Sequence, residues 1–385
     1  MQAYHKDLLE NEAMISNAKS LFTQKFISKE QLNEVTSKLV SLDTNPNLLV
    51  RFGFFLLGCF LFSSIVGSIS LLFIPLLDSN YQIVPFFYFG VGIIVLEILV
   101  HKNYFKHGLD DAFIVCSQLA LYIGVGILFE SFLAVYLTMF VFGALFCIRY
   151  VNALSMFVSC IGLMAFIFLS ITEHSFIPKA LLPFIAFFIA VLLYSIYLKL
   201  NSIDDFYFYE FALQNLKIFS LVLAYFSLNY MVVRELSESL LNVEVLLGED
   251  IPLAFIFYAT TFIIPASYIG YSLFKKDRII LFVGILAFAY SIFTIRFYYQ
   301  LLPIEVALVI GGIVLFIVAY LSIKRLQFCE TGLTFKPDRG SDSSLLKNAQ
   351  ALIVSAQVPN APVPNQSDMP FGGGGFSGGG AGSKF

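Results

Sequence analysis

The chain has 385 residues, of which 58% are hydrophobic and 13% are charged. Soluble domains contain about 45–50% apolar and about 25% charged residues, so this composition excludes an ordinary soluble protein. The formal net charge of −3 excludes a strongly basic nucleic-acid-binding protein. A chain of this length and composition therefore predicts one large membrane domain, with the lipid bilayer as its main partner.

The first 47 residues (1–47) predict a cytoplasmic hairpin of two short helices, Asp7–Lys25 and Ser28–Leu42. Ser28, followed three residues later by Gln31, is the pattern of a capping box at a helix start. Apolar residues recur at helical spacing in both segments. The two apolar faces can cover each other, lie on the membrane surface or bind a protein partner.

A resemblance to known sequences begins in this hairpin. Residues 14–39 read MISNAKSLFTQKFISKEQLNEVTSKL. The residues Ile27, Ser28, Glu30 and Gln31 resemble the I-S-x-E-Q turn of uncharacterised bacterial membrane families, which place a short helical module before about ten spans. The resemblance implies a multi-pass protein of the bacterial cytoplasmic (inner) membrane and implies no activity.

Ten apolar stretches follow in residues 48–323, each long enough to cross a hydrocarbon core of about 30 Å as a helix. Only three residues, Phe129, Glu130 and Ser131, separate the third and fourth stretches, which could instead form a hairpin that does not fully cross. The sequence predicts an all-α, polytopic helical membrane protein with about ten transmembrane helices. The predicted spans are Leu49–Leu76, Val84–Val100, Ala112–Leu128, Phe132–Ile148, Ala153–Ile171, Ala180–Leu198, Phe211–Val233, Pro252–Phe274, Ile279–Ile295 and Pro303–Ile323.

Positive charge alternates between the two sides of these spans. Lys and Arg are concentrated before the first span and after each even-numbered one, whereas the opposite side holds only Lys179, Arg234 and Arg296. Cytoplasmic loops carry an excess of Lys and Arg, so both the N- and C-termini are predicted to be cytoplasmic.

Residues 324–385 predict a cytoplasmic tail. Ser343–Gln357 is compatible with a short amphipathic helix, and Phe371–Phe385 reads FGGGGFSGGGAGSKF. Glycine at that density cannot offset the entropy lost on ordering, so we expect a disordered Gly-rich end. Its phenylalanines either bind a protein partner or belong to a plain flexible tail.

The strongest cluster of polar residues opens the seventh span. Glu210, Gln214 and Lys217 are spaced so that they share one helix face. Ionisable residues inside spans are functional candidates because they are costly to bury in lipid. The cluster predicts a polar vestibule open to the cytoplasm; the alternative is an interfacial helix lying partly outside the bilayer.

A second candidate lies at the end of the second span, where Glu97 precedes His101 by one helical turn. Histidine titrates near neutral pH, so the pair predicts a proton relay. The alternative is a Glu97 carboxylate that extends to the lipid headgroups. Pro183 and Pro265 predict bends in the sixth and eighth spans, because proline removes a helical hydrogen bond.

Motifs of enzymes and cofactor sites are missing from the sequence. It contains no HExxH, phosphate-binding loop or CxxC pattern, and its serines offer no GxSxG nucleophile elbow, which requires a strand–turn–helix context. We therefore expect no enzymatic activity, no cofactor and no metal site. Four of the five cysteines lie within or at the ends of the predicted spans and the fifth, Cys329, lies on the predicted cytoplasmic side; they are expected to be small buried apolar side chains.

Two functions remain open at this stage. Ten spans with both ends inside favour a transporter or permease, and an interior poor in charge favours a weakly polar or lipid-like substrate. Two halves of five spans each show no convincing sequence repeat. The alternative is a non-catalytic scaffold or regulatory subunit that recruits partners through the N-terminal hairpin and the Gly-rich tail.

Overall fold

A computed structural model describes residues 2–23, 26–72, 81–174, 178–203, 208–241, 251 and 253–299, with isolated positions between 309 and 324. All named elements in these residues are helical. The predicted C-terminal tail and most of the predicted tenth span lie outside the described residues.

The N-terminal segment contains the two predicted helices, α1 (Lys6–Thr23) and α2 (Lys29–Lys38). Residues Asn11–Ser41 belong to a compact unit. Its small core consists of Ala18, Leu21, Ile27 and Val35. The capping box is confirmed, because the Ser28 hydroxyl accepts from the Gln31 amide at 3.2 Å and the Gln31 side chain accepts from the Ser28 amide at 2.9 Å.

The first ten residues belong instead to the compact unit that contains the membrane helices. Tyr4 is buried, and its hydroxyl donates to the Tyr104 carbonyl at 2.8 Å. Burial, and then the nearby carboxylates of Asp110 and Asp111, raise the pKa of the Tyr4 hydroxyl. Tyr4 is therefore a neutral hydrogen-bond donor at physiological pH and anchors the start of the chain.

Eight helices of the described chain are long and apolar enough to cross a membrane, and one bent pair makes a ninth candidate. The chain is therefore an all-α, polytopic integral membrane protein. The helices are α3 (Leu48–Leu72), α4 (Val84–His101), α5 (Leu109–Phe129), α6 (Phe132–Tyr150), α7 (Ala153–His174), α8 (Leu182–Asn201), α9 (Glu210–Ser227), α10 (Tyr230–Leu241), α11 (Ala254–Lys275) and α12 (Arg278–Tyr299), with α9 and α10 forming the bent pair.

The helix bounds bear on three of the sequence-based expectations. The third and fourth predicted spans are separate helices, α5 and α6, of 21 and 19 residues, and each is long enough to span by itself. The predicted bend at Pro183 is wrong, because this residue occupies the first turn of α8, where no intrahelical amide bond is lost. Pro265 does lie inside α11.

Contacts between loops and helix ends define two ends of the helix bundle. At the proximal end, where α3 begins, Arg51 pairs with Asp111 at 2.6 Å and Asn152 donates to Asp111 at 3.0 Å. Asn215 of α9 joins the same end by donating to the Ala153 carbonyl at 2.8 Å. The opposite ends of these helices form the distal end.

The most enclosed helix is α5, with 56% of its apolar span buried, against 17–33% for the other single spans. It packs against α3, α4 and α6. Small residues permit the close approach, since a Cβ placed on Gly58 of α3 would lie 2.6 Å from the Ala112 Cβ. Lipid has no tendency to drive apolar helices together, so such close contacts stabilise the bundle by dispersion.

Candidate functional site: a helix break lined by uncharged polar side chains

The seventh predicted span is interrupted. Helix α9 ends at Ser227 and α10 begins at Tyr230, with a bend of 69° between them. Asn229 lies at the break and is fully buried. Its side-chain oxygen accepts from the Val232 amide at 3.2 Å, as an N-cap residue does at the start of a helix. The local cause of the break is therefore a helix start encoded inside an apolar run.

Neighbouring hydroxyl groups satisfy the backbone groups freed by the break. The Thr260 hydroxyl donates to the Leu228 carbonyl at 2.8 Å, and the Thr261 hydroxyl accepts from the Tyr230 amide at 3.0 Å. Both threonines belong to α11. At 1.5 Å per residue, Thr261 lies about 10 Å inside the distal start of α11, so the break lies within the bundle. Irregular backbone at this depth is tolerated only where protein or water satisfies it.

The side chains around the break form one hydrogen-bonded cluster, called here the break cluster. Asn229 donates to the Tyr225 hydroxyl at 2.9 Å and to the Thr294 hydroxyl at 3.4 Å. The Tyr225 hydroxyl also bonds the Ser291 hydroxyl at 2.9 Å, and Ser291 donates to the Thr261 carbonyl at 2.6 Å. All five of these side chains are buried and uncharged. The break cluster therefore offers donors and acceptors without a net charge.

Aromatic and charged groups border the break cluster on its distal side. The ring of Tyr230 stacks on Tyr258 at 4.0 Å, and its hydroxyl accepts from Arg234 at 2.9 Å. The Arg234 guanidinium lies 4.8 Å from the centre of the Tyr298 ring, whose hydroxyl donates to Glu235 at 2.7 Å. These residues lie on α10, α11 and α12 and form the distal border of the break cluster.

Lys217 lies on α9 nearer the proximal end. Its side chain is only 4% exposed, and it forms an ion pair with Asp277 in the turn before α12. Asp277 also accepts from the Ile279 and Ile280 amides at 3.1 and 3.3 Å, and so caps α12. The Lys217 ammonium lies 5.4 Å from the centre of the Tyr197 ring. Lys217 is therefore held by a carboxylate and an aromatic face rather than by the lipid headgroups.

The three residues of the predicted vestibule have different surroundings. Gln214 donates to Glu210 at 3.4 Å on an exposed face, whereas Lys217 is buried and pairs with Asp277. Asp204 and Asp205, which precede this helix in the sequence, lie outside the described residues. The structure thus places Glu210 and Gln214 together at the proximal surface and assigns Lys217 to a separate contact.

The predicted proton-relay residues also have other partners. Glu97 accepts from Arg149 at 2.8 Å and from the Tyr150 hydroxyl at 2.6 Å, which links α4 to the end of α6. Glu97 and His101 share a surface groove of about 460 Å³ whose walls come from one helix. This geometry ties Glu97 to Arg149 and Tyr150 across two helices.

A polar network at the proximal end was only partly visible in the sequence. Asp111, paired with Arg51, accepts from Asn152, and Asn152 in turn accepts from the Ser155 hydroxyl at 3.2 Å. Gln118 of α5 donates to Ser155 at 2.9 Å. These bonds connect α3, α5 and α7. The sequence could show Gln118 as a polar residue in a span, but not its partner.

The break cluster itself escaped sequence analysis. Asn229 immediately precedes the apolar residues Tyr230, Met231 and Val232. An asparagine in that position is a usual signal for a helix start and could have located the break. Ser291 and Thr294 carry no such signal, because single hydroxyl residues are common in spans and mostly bond their own helix. Their importance becomes visible only when α12 is packed against α9.

Among the described residues, no three His, Cys, Asp or Glu side chains come together in a way that could hold a metal ion. No known family, curated protein or solved structure matches the chain. The class defined by the fold is thus a polytopic helical membrane protein, and its function has to be inferred from the geometry.

Proposed function

We propose that the protein is a non-enzymatic transporter or permease for a weakly polar or lipid-like substrate, and that the break cluster handles this substrate. The observation that carries the proposal is the interruption between α9 and α10 inside the bundle. Discontinuous helices in transporters place free backbone groups and polar side chains at the substrate site. The interruption also provides a natural hinge, because two short helices can move more independently than one continuous helix.

The chemistry of the break cluster supports a substrate of low charge. Hydroxyl and amide groups supply both donors and acceptors, and aromatic rings enclose them. Because a charged ligand in this apolar surrounding would need an opposite charge nearby, the uncharged cluster favours a neutral molecule. Arg234 at the distal border is already bonded to Tyr230 and to Glu238 at 3.3 Å.

We further propose that the proximal end faces the cytoplasm of a bacterial cell. The described proximal loops and helix ends carry most of the positive charge, as cytoplasmic loops do. Reporter fusions test this orientation. Fusions after His107, Asn201 and Asp277 should report the cytoplasm, and fusions after Ile83 and Glu173 the opposite side. Two adjacent reversals would contradict the proposed span order.

The transport proposal can be tested in cells that lack the gene. Such cells are complemented with the wild type, with Asn229→Leu, or with the control Ser267→Leu on an exposed face of α11. Untargeted mass spectrometry of medium and lipid extracts then compares the small molecules. The wild type and Ser267→Leu should restore the same pattern, and Asn229→Leu should not, at equal amounts in the membrane. Full restoration by Asn229→Leu would remove the break cluster from the mechanism.

A scaffold or regulatory role is the second candidate, and the compact N-terminal unit favours it. The small core of that unit, which includes Val35, is formed without any membrane helix. Val35→Glu would disrupt this core and with it any partner-binding surface. A phenotype lost in Val35→Glu but kept in Asn229→Leu would support the scaffold function over transport.

A further inference from the structure

Two helix-turn-helix segments of the bundle have the same layout. Helices α6 and α7 are joined by Val151 and Asn152, and helices α11 and α12 by Lys276 and Asp277. The first residue of each turn is left-handed, with φ of 53° and 56°. The side-chain oxygen of the second residue accepts from the amide three residues later. Asn152 accepts from the Ser155 amide at 2.9 Å, and Asp277 accepts from the Ile280 amide at 3.3 Å.

The same two segments pack in the same register. A Cβ on Gly143 of α6 would lie 2.9 Å from the Ser159 Cβ of α7, and a Cβ on Gly284 of α12 would lie 3.0 Å from the Tyr268 Cβ of α11. The turn residues Val151 and Lys276 are 125 residues apart in the sequence. With the same offset, Gly143 corresponds to Tyr268 and Ser159 corresponds to Gly284. The two pairs therefore make their close contact at equivalent positions. The glycine lies on the first helix in one pair and on the second helix in the other.

The helices that precede these segments begin alike. A single 3₁₀ turn, Tyr81–Ile83, leads into α4, and another, Lys179–Leu181, leads into α8. The second residue of each helix is a proline, Pro85 or Pro183. The sequences around these prolines, IVPFF and LLPFI, correspond residue by residue at a separation of 98, as from Pro85 to Pro183.

Helices α5 and α9 complete the correspondence. Residues 117–122 read SQLALY and residues 220–225 read SLVLAY. The two segments are 103 residues apart, so that Tyr122 corresponds to Tyr225. Ser117 and Ser220 are both fully buried, and both tyrosines are buried. The order α4–α5–α6–α7 thus matches α8–α9–α11–α12. When the bent pair α9–α10 is counted as one span, equivalent spans are four apart in the chain, and an even number means that the two sets run in the same direction through the membrane.

The two sets differ most at the helix break. Helix α5 runs without interruption to Phe129, whereas its counterpart breaks after Ser227. Among the described residues, the buried Tyr122 hydroxyl has no hydrogen-bond partner. Phe166 occupies the position that corresponds to Ser291, the partner of Tyr225. Residues of the second set that are polar have these counterparts in the first: Gly126 for Asn229, Tyr136 for Thr261, Phe166 for Ser291, Leu169 for Thr294 and Ile114 for Lys217.

We propose that α4–α7 and α8–α12 are two parallel copies of one four-span unit, in which the bent pair α9–α10 forms one span of the second copy. Only the second copy became a binding site, for a small uncharged molecule that both donates and accepts hydrogen bonds. The site part of this proposal rests on the proposed transport function and names its substrate class. Parallel repeats of this kind are a known architecture of transporters. A period of four spans also explains why halves of five spans show no repeat.

Matched cysteine substitutions test the difference between the copies. In a background with all five native cysteines replaced by serine, Ser291→Cys is compared with Phe166→Cys in reconstituted vesicles. The probe is 2-hydroxyethyl methanethiosulfonate, a small uncharged reagent that hydrogen-bonds and reacts only with a hydrated thiolate. The Ser291→Cys thiol should react at least about tenfold faster; Thr294→Cys against Leu169→Cys should repeat the result. Equal rates in both pairs would overturn the substrate site.

Cross-linking tests the duplication independently of any substrate. Gly143→Cys with Ser159→Cys, and Tyr268→Cys with Gly284→Cys, place two thiols at equivalent positions of the two copies. Disulfides need Cβ atoms about 3.5–4.5 Å apart, which a small helix shift provides at both sites. Copper phenanthroline should close both pairs to similar extents; closure of one pair alone would overturn the shared register. If cross-linking and labelling succeed while Asn229→Leu restores the cellular phenotype, the site binds a small molecule and the transport function is wrong.

Discussion

The first set of helices, α4–α7, and the second, α8–α12, share one arrangement of spans. The span that is continuous in the first set, α5, is interrupted between α9 and α10 in the second. In the first, α5 runs without a break to Phe129 and has the largest buried share of the described single spans. In the second, α9 ends at Ser227, and two hydroxyl groups from α11 bond the backbone groups that the break frees. The comparison teaches that the two sets place their buried polar groups differently. The first holds Gln118, Ser155 and Asn152 in its polar network near the proximal end, and the second has the break cluster around the helix break.

The largest expected effect comes from breaking the ion pair that the second set has and the first lacks. Lys217→Met leaves Asp277 without its cation and should cost about 2–3 kcal/mol of stability. This is below the value of about 3–5 for fully buried pairs, because Asp277 is 28% exposed. Thermal denaturation in nanodiscs measures the loss.

The matched control for this prediction is Ile114→Met in the first set, an apolar exchange that should cost less than about 1.5 kcal/mol. The double variant Lys217→Met with Asp277→Asn should recover most of the loss, since it leaves no unpaired charge. Equal melting temperatures for Lys217→Met and the wild type would show that the ammonium is solvated by headgroups instead.

The next effect concerns the packing that the two sets share. Gly143→Ala and Gly284→Ala each place a Cβ about 3 Å from its neighbour, so each should destabilise by about 1–3 kcal/mol. Gly270→Ala is the control, because a Cβ there meets nothing within 4 Å. Alanine is the better helix former, so the control should be neutral or slightly stabilising. A large difference between Gly143→Ala and Gly284→Ala would contradict equivalent packing.

The smallest effect separates the two equivalent tyrosines. Tyr225→Phe removes bonds to Ser291 and Asn229 and should cost about 1 kcal/mol. Tyr122→Phe removes a buried hydroxyl that has no partner in the described part of the chain, so the variant should be as stable as the wild type or slightly more stable. The measurement is the melting temperature of both variants under identical conditions. Equal destabilisation would mean that Tyr122 has a partner, such as an ordered water.

Much of the fold follows from the sequence because length and hydrophobicity determine helices in lipid. The bounds of α4 through α8 lie close to the predicted spans, and the capping box at Ser28 was readable from two residues. The partner of Lys217 was not predictable, because Asp277 is 60 residues away and is brought near only by the packing of α12. The four-span period also escaped, since its evidence lies in turn geometry and contact positions more than in identical residues.

Hydrogen–deuterium exchange in nanodiscs tests most directly whether the helix break moves while the equivalent region of α5 does not. Amides around residues 226–233 should exchange clearly faster than those around residues 123–130, because a hinge at Asn229 exposes the broken segment while α5 stays closed. Added substrate of the proposed class should slow exchange at the first region alone. Equal, strong protection of both regions would contradict a moving break and, with it, the functional difference between the two copies.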